Sequence, residues 1–433
     1  MSLPLNRRCL LGALAAAPLA AGSPLLAAPV LSARNSNLTP EQAVRRSAWL
    51  EVDPDAFGFN VRHTQSLLGS ARLCAIMKAN AYGAGIDLLI PSVRALGISA
   101  IGIASNDEAR VARERGFRGQ IMRVRTGTPD EIEDGFGYGI EELVGDLDAA
   151  RLMSERWAAR RRKGRLSVHL ALNADGMSRN GLELSSRWGK SDAAAILAIP
   201  VLNIAGLMTH YPTEDRDDIL RQLARFEQDI AWLRANGLTN PQALRHSANT
   251  FATLHHPQTR LDMARVGGAI YGDVSSDFLG QFRPILTLKA RVAAINHFPA
   301  DQTVSYDRTY RLERESWLAN IPIGYSDGFR RSLSHANQPA FANESRNATE
   351  VLINGKRFPV IGRVTMNTVM VDITGDQDRI KPGAEVVLFG RQGDQLISQR
   401  ELESNSSGFG PELLAMLGNS LPRILKPRQS LIP

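Results

Sequence analysis

Between Pro54 and Pro284, short apolar runs alternate with amphipathic stretches. The runs span residues 73–77, 100–104, 120–124, 166–172, 204–208 and 264–270. Runs of this length suit strands buried on both faces. The stretch 217–235 instead places Ile219, Leu220, Leu223, Phe226, Ile230 and Leu233 at helical spacing along one face. Strand–helix alternation over residues 54–284 predicts parallel βα units. Eight such units in a closed barrel take about 250 residues, which fits. A doubly wound sheet would give the same alternation, but no Gly-rich dinucleotide fingerprint follows the first strand. The expected class is therefore α/β, a (β/α)8 TIM-like barrel.

Beyond Pro284 the texture changes. Residues 286–295, 351–353, 358–361, 368–373 and 385–389 read as strands. Turn signals separate them, among them Lys381-Pro382-Gly383 and Asn354-Gly355, the latter a strong hairpin signal. Residues 337–348 are polar and read as a loop, and no long helical pattern intervenes before 411–417. Residues 285–433 are thus expected to form a mostly β domain.

Composition changes this picture little. Of 433 residues, 43% are hydrophobic and 22% charged, ordinary for a globular chain. Net charge is +7, or +5 without Arg7 and Arg8, and the one dense basic run is Arg160-Arg161-Arg162-Lys163. Nucleic acid is not an expected partner. Residues 1–33 carry Arg7-Arg8, then an uncharged Ala-rich run, then small residues, the order of a secretory signal with a twin-arginine flavour. The run is short and broken by Pro18 and Pro24, so a membrane span is not expected. Removal of the segment and a periplasmic location are the expectation. Cys74 is then the only cysteine, which leaves no intramolecular disulfide and no cysteine-type zinc site.

Chemistry in a barrel sits at the C-terminal ends of its strands. Lys78, His210, Asn249, Thr250, Gly267 and Gly268 all follow predicted strands, so they gather at one rim. Any one alone reads as a solvated strand end; together they suggest a site.

The residues around them form ordered motifs. They are Ala75-Ile76-Met77-Lys78-Ala79-Asn80-Ala81-Tyr82-Gly83-Ala84-Gly85, Asp175-Gly176-Met177-Ser178-Arg179, Gly206-Leu207-Met208-Thr209-His210 and His246-Ser247-Ala248-Asn249-Thr250. Further along come Arg265-Val266-Gly267-Gly268, Val304-Ser305-Tyr306, Ile321-Pro322-Ile323-Gly324-Tyr325-Ser326-Asp327-Gly328 and Gly362-Arg363-Val364-Thr365-Met366. From about Trp49 to Arg423 this series resembles the alanine racemase family. The resemblance implies a barrel over residues 54–284, the β domain over 285–433, and a strand near Trp49 within 34–53 that joins the β domain. It also implies pyridoxal 5'-phosphate as cofactor and a homodimer with a shared site.

Roles follow from the resemblance. Lys78 anchors the cofactor and serves as base on one face of the substrate, and Tyr306 of the other subunit serves on the opposite face. Arg179 matches the arginine that contacts this tyrosine and the substrate; a cation there favours the deprotonated, basic form. Arg265 faces the pyridine nitrogen, and His210 packs beside the ring. Tyr82, Asn249, Thr250, Gly267, Gly268 and Tyr325 line the site or hold phosphate. Met366 and Asn367, with Tyr325, belong to the substrate entrance.

Departures from the family pattern narrow the reading. Thr365-Met366-Asn367 stands where the family commonly has Cys-Met-Asp. Residues 171–174 lack the usual lysine, Leu425 stands where a tyrosine is expected, and Arg123-Val124-Arg125 and Tyr211-Pro212-Thr213 are unusual. With the export signal, these features resemble the exported broad-specificity subgroup, and lysine and arginine are expected substrates. Asp175 fits neither group. A narrow alanine racemase and a non-catalytic pyridoxal-phosphate-binding protein are the alternatives. A decarboxylase of basic amino acids is disfavoured because no cysteine follows Cys74.

Overall fold

The apolar runs become the staves of a barrel. The computed structural model describes residue 42 and residues 45–161, 164–338 and 348–426. A first strand, β1 (Ala48–Val52), precedes the barrel strands. These are β2 (Arg72–Ile76), β3 (Ala100–Ile103), β4 (Gln120–Arg123), β5 (Ile140–Val144), β6 (Leu166–Ala171), β7 (Leu202–Met208), β8 (Leu244–His246) and β9 (Met263–Val266). Neighbours pair in parallel in the order β8-β7-β6-β5-β4-β3-β2-β9. The seam between β8 and β9 is bridged by Asp262 N–H to Arg245 O at 3.1 Å and Arg265 N–H to Ala248 O at 3.0 Å. Across it the Arg245 guanidinium grips Asp262 through two 2.9 Å bonds. The barrel is nearly closed.

Short polar residues start the helices that return the chain. Asp53, Ser105, Thr128, Asp146, Ser186, Asp215 and Asn249 each accept a backbone N–H of the following first turn. Each cap satisfies a donor that would otherwise face the strand end unpaired.

The second layer is a β sheet built from β10 (Leu286–Arg291), β11 (Ala294–Phe298), β14 (Ser316–Ile321), β15 (Glu350–Ile353), β16 (Lys356–Ile361), β17 (Val369–Asp372), β18 (Glu385–Gln392), β19 (Gln395–Ile397) and β20 (Arg423–Leu425), with a small ribbon of β12 (Thr303–Val304) and β13 (Tyr310–Arg311). β1 enters this sheet, antiparallel to β10 and parallel to β20, so the N-terminal strand joins the β domain as expected. Asn354-Gly355 makes the two-residue hairpin its sequence predicts: Ile353 pairs with Lys356 and both turn residues have positive φ. One buried apolar cluster runs from Phe57 and Ile270 in the barrel to Leu286, Leu288 and Val351 in the sheet.

Four expectations are corrected. Run 264–270 is a strand only to Val266, because Gly267 breaks it and a helical turn, Gly268–Tyr271, follows. Run 286–295 is two strands with a break between Arg291 and Ala294. Strand β5 was not anticipated, since Glu141-Glu142 interrupts its apolar character. A helix, Gln399–Ser406, precedes the one at Gly410–Met416, and its capping box of Ser398 and Glu401 was a readable signal. The expected signal segment, residues 1–33, and residues 339–347 of the expected loop lie outside the described residues. Among the described residues, no helix is long and apolar enough to cross a membrane.

Asn60, fully buried on helix Pro54–Leu68, ties the barrel to the chain entering the β domain. Its amide donates to Arg283 O (2.7 Å) and Ile270 O (3.3 Å), and its oxygen accepts Arg283 N–H at 2.8 Å. Asn60→Ala leaves these backbone groups unsatisfied, and urea unfolding should show a loss of about 3 kcal/mol; an unchanged midpoint would contradict this role.

Candidate active site

Lys78 directly follows β2 and Met77, and the chain then does something unusual. Ala79, Asn80 and Ala81 take φ of 53° to 56° and ψ of 46° to 53°, and Tyr82 has φ 53°. Left-handed backbone costs an L-residue about 1–2 kcal/mol each, so other contacts must hold this turn. Ala81 N–H bonds Met77 O at 2.8 Å and Gly83 N–H bonds Ala79 O at 2.9 Å. The buried carboxylate of Glu108 accepts Asn80 N–H at 3.0 Å and also Ala104 and Ser105 N–H. Asn80 Oδ1 accepts Ile86 N–H at 2.9 Å, and Arg423 Nε donates to Gly83 O at 2.6 Å. Gly83 cannot be another residue: φ is +81°, and a Cβ would meet Leu414 O at 2.3 Å. The strained turn sends the Lys78 and Tyr82 side chains into the same cavity.

That cavity, about 550 Å³, is lined by Lys78, Tyr82, Arg179, His210, Asn249, Thr250, Arg265, Gly267 and Gly268. Nine residues expected at one site are thus brought together. Asn249 caps helix Thr250–His255 and puts Thr250 Oγ1 in reach of Gly267 N–H at 3.2 Å. A Cβ on Gly267 would meet Tyr82 Oη at 2.3 Å, and one on Gly268 would meet Asp273 O at 2.6 Å. The two glycines open a cradle of backbone and hydroxyl donors, suited to a phosphate. Sequence reasoning missed three acids that also line the cavity, Glu214, Glu403 and Asp273, the last packed against Gly268. Burial raises the Asp273 pKa, partly offset by the amide of Gln399; the capping box that starts helix Gln399–Ser406 could have pointed here.

Positive charge sets the electrostatics. Arg265 is buried and has no carboxylate partner among its hydrogen bonds; it donates through Nη1 to His246 O and His246 Nδ1, and through Nη2 to Thr209 O, Ser247 O and His210 Nδ1. Burial lowers its pKa to about 10, still a cation at neutral pH. Burial, then Arg265, Arg179 and Lys78, push His210 down to about 3. His210 is therefore neutral, with Nδ1 as acceptor at 3.2 Å and its proton on Nε2. Lys78 is exposed and lines the cavity; desolvation, then Arg179 and Arg265, lower its pKa. A larger fraction of its amine is therefore unprotonated, and free to act as a nucleophile, at neutral pH than in an ordinary lysine.

Tyr306, Tyr325, Met366 and Asn367 do not line this cavity. They are exposed on the β domain, Tyr306 by 67%. Tyr325 N–H bonds Thr365 O and Ser326 N–H bonds Met366 O, so Tyr325, Met366 and Asn367 share one patch. Tyr306 is presented by a strained turn in which Ser305, Asp307 and Arg308 have φ of 67°, 58° and 51°. Asp307 forms an ion pair with Arg363, Oδ2 to Nε 2.8 Å, and Ser305 Oγ donates to Arg363 O at 2.7 Å. Asp175 is exposed in a left-handed turn four residues before Arg179, and Arg123 is buried against Glu142.

Residues 52–275 match the family model for the alanine racemase N-terminal domain, and residues 285–425 the model for its C-terminal domain. The chain is 45% identical to a broad specificity amino-acid racemase of Aeromonas hydrophila, over 93% of this chain and 95% of that one. It is 41% identical to a lysine racemase of Proteus mirabilis, over 89% and 91%. The crystal structure of alanine racemase from Bacillus anthracis superposes with a TM-score of 0.78 at 28% identity, covering 90% of this chain and 97% of that one. Barrel, β domain and the motifs at the rim agree with these matches, and the chain belongs to the alanine racemase family.

Proposed function

We propose that this chain is a racemase of free amino acids, pyridoxal-phosphate-dependent and broad in range, with lysine and arginine among its substrates. The observation that carries the reading is the placement of Lys78, with its lowered pKa, in one cavity with Arg265 and the Tyr82–Thr250–Gly267 cradle. The names of the relatives from Aeromonas hydrophila and Proteus mirabilis support the range. The cofactor fits the residues present: the glycine cradle suits its phosphate, Arg265 its ring nitrogen and the Lys78 amine its carbonyl carbon. When bound, pyridoxal phosphate supplies the electron sink that acidifies the Cα proton of an amino acid.

The chain's own groups do the rest. Lys78 holds or returns a proton on one face of Cα. Arg265 stays protonated, so it donates to a ring nitrogen and takes no proton from it. A weaker sink follows, which suits simple proton return. His210 stays neutral and adds no charge beside the ring. The second base is Tyr306 from a second copy of this chain, which accounts for an exposed tyrosine held between strained residues and absent from its own cavity lining. Residues 1–33 favour an exported, periplasmic protein. A carrier without activity would have no use for the β domain that presents Tyr306.

Purified protein given L-lysine or D-arginine should drift to the equal mixture; racemisation of alanine alone, with both enantiomers of lysine and arginine untouched, would sink the broad reading. Tyr306→Phe should retain cofactor and racemise about 10²–10⁴-fold more slowly in both directions, while one enantiomer still exchanges its Cα proton with solvent deuterium at the Lys78 face. Equal rates in both directions at the wild-type level would exclude Tyr306 as the second base.

His210 and His246 both have pKa values below that of a free histidine. The unfolded chain therefore binds protons below about pH 6.5 that the folded chain refuses until lower pH. Stability should fall as pH drops from 6.5, by up to about 1.4 kcal/mol per pH unit for each histidine. Denaturation series on His210→Asn should lose one proton's worth of this slope, and an unchanged slope would contradict the assignment.

A further inference from the structure

The barrel interior is not filled by apolar side chains alone. Below the cavity, Arg265 on β9 contacts His246 on β8, Nη1 to Nδ1 at 3.0 Å. His246 Nε2 meets His169 Nδ1, from β6, at 2.8 Å. His169 Nε2 meets Glu141 Oε2, from β5, at 2.7 Å. Gln120 of β4 donates to the same carboxylate oxygen at 2.5 Å, and Arg72 of β2 donates to Gln120 at 3.1 Å. The two imidazoles are fully buried and cross at 72°. Room for them comes from β7, where a Cβ on Gly206 would meet His169 Nδ1 at 2.2 Å and His246 Nε2 at 3.0 Å. The β6–β7 register also shifts between Val168 and His169.

The chemistry of the ends fixes the direction of every link. Arginine only donates, so His246 Nδ1 accepts and its proton sits on Nε2. A carboxylate only accepts, so His169 donates from Nε2, and its Nδ1 accepts from His246. Glu141 is held as the carboxylate by His169 and Gln120, which outweigh its burial. One arrangement satisfies all four groups with both rings neutral.

We infer that Glu141, His169 and His246 are positioning residues for Arg265, a one-way hydrogen-bond chain that fixes the guanidinium and sets its donor strength. The terminal nitrogens of Arg265 are committed to the chain, to backbone carbonyls and to His210 Nδ1, and among the hydrogen bonds of the described residues its Nε–H has no acceptor. A negative end at Glu141 polarises each bond in turn, so Arg265 donates less strongly to the cavity than a free guanidinium. This inference rests on the racemase reading only for its consequence in turnover.

The test uses the full protein as purified, labelled with 15N-histidine, and Glu141→Gln, which keeps shape and removes charge. In the wild type, two histidines should be neutral with the proton on Nε2; an imidazolium, or the proton on Nδ1, at either position overturns the chain. In Glu141→Gln the His246 and His169 nitrogens should shift while the fold persists. The kcat should fall about tenfold with KM within twofold, and Glu141→Asp should recover part of it. Unchanged histidine signals and kcat in Glu141→Gln would overturn the inference. Protein that racemises nothing would end the racemase reading, but the histidine signals would still decide the chain.

Discussion

A cation without a carboxylate partner lies at the centre of this structure. Arg265 is buried at the top of the barrel, and its charge is met by carbonyl oxygens and two imidazole nitrogens. Dipoles of this kind stabilise a guanidinium without neutralising it, so its field extends into the cavity. That field, with Arg179, is among the causes that strip the proton from His210 and lower Lys78. An anionic ligand relieves the same field. One electrostatic arrangement thus favours an anion in the cavity and an unprotonated Lys78 amine.

Strain supplies the geometry. The barrel rim aims Lys78 and Tyr82 by four successive left-handed residues, Ala79 to Tyr82, held by Glu108, Asn80 and Arg423. The β domain aims Tyr306 by a second strained turn clamped by Asp307 and Arg363. Glu108 and Arg423 hold the first turn from outside it and Arg363 the second, as strained functional segments require. The barrel carries Lys78 and the glycine cradle, and the β domain displays Tyr306 on an exposed face.

Much of this was legible in the chain. Period and run length gave the barrel, because buried parallel strands are short and continuously apolar. Rim position picked out Lys78, His210, Thr250 and the Gly267-Gly268 pair. What stayed hidden has physical causes. β5 contains Glu141 and Glu142, acids that stand in a strand only because His169, Gln120 and Arg123 meet them from neighbouring strands. Such pairing is long-range and leaves no local pattern. The left-handed turn after Lys78 is hidden for the opposite reason. Alanine and tyrosine disfavour that conformation, so local propensity argues against what tertiary contacts impose. Tyr306 looked like an ordinary strand tyrosine, and only the family motif singled it out.

The central claim is that the Lys78 amine, held in this cationic cavity, is the covalent anchor for pyridoxal phosphate. The most direct measurement is to reduce the purified protein with borohydride, digest it, and locate the lysine carrying the reduced cofactor by mass spectrometry. The account predicts label on the peptide containing Lys78, and none on that peptide in Lys78→Ala. Label on a different lysine of the wild type, or none at all after loading with pyridoxal phosphate, would contradict it.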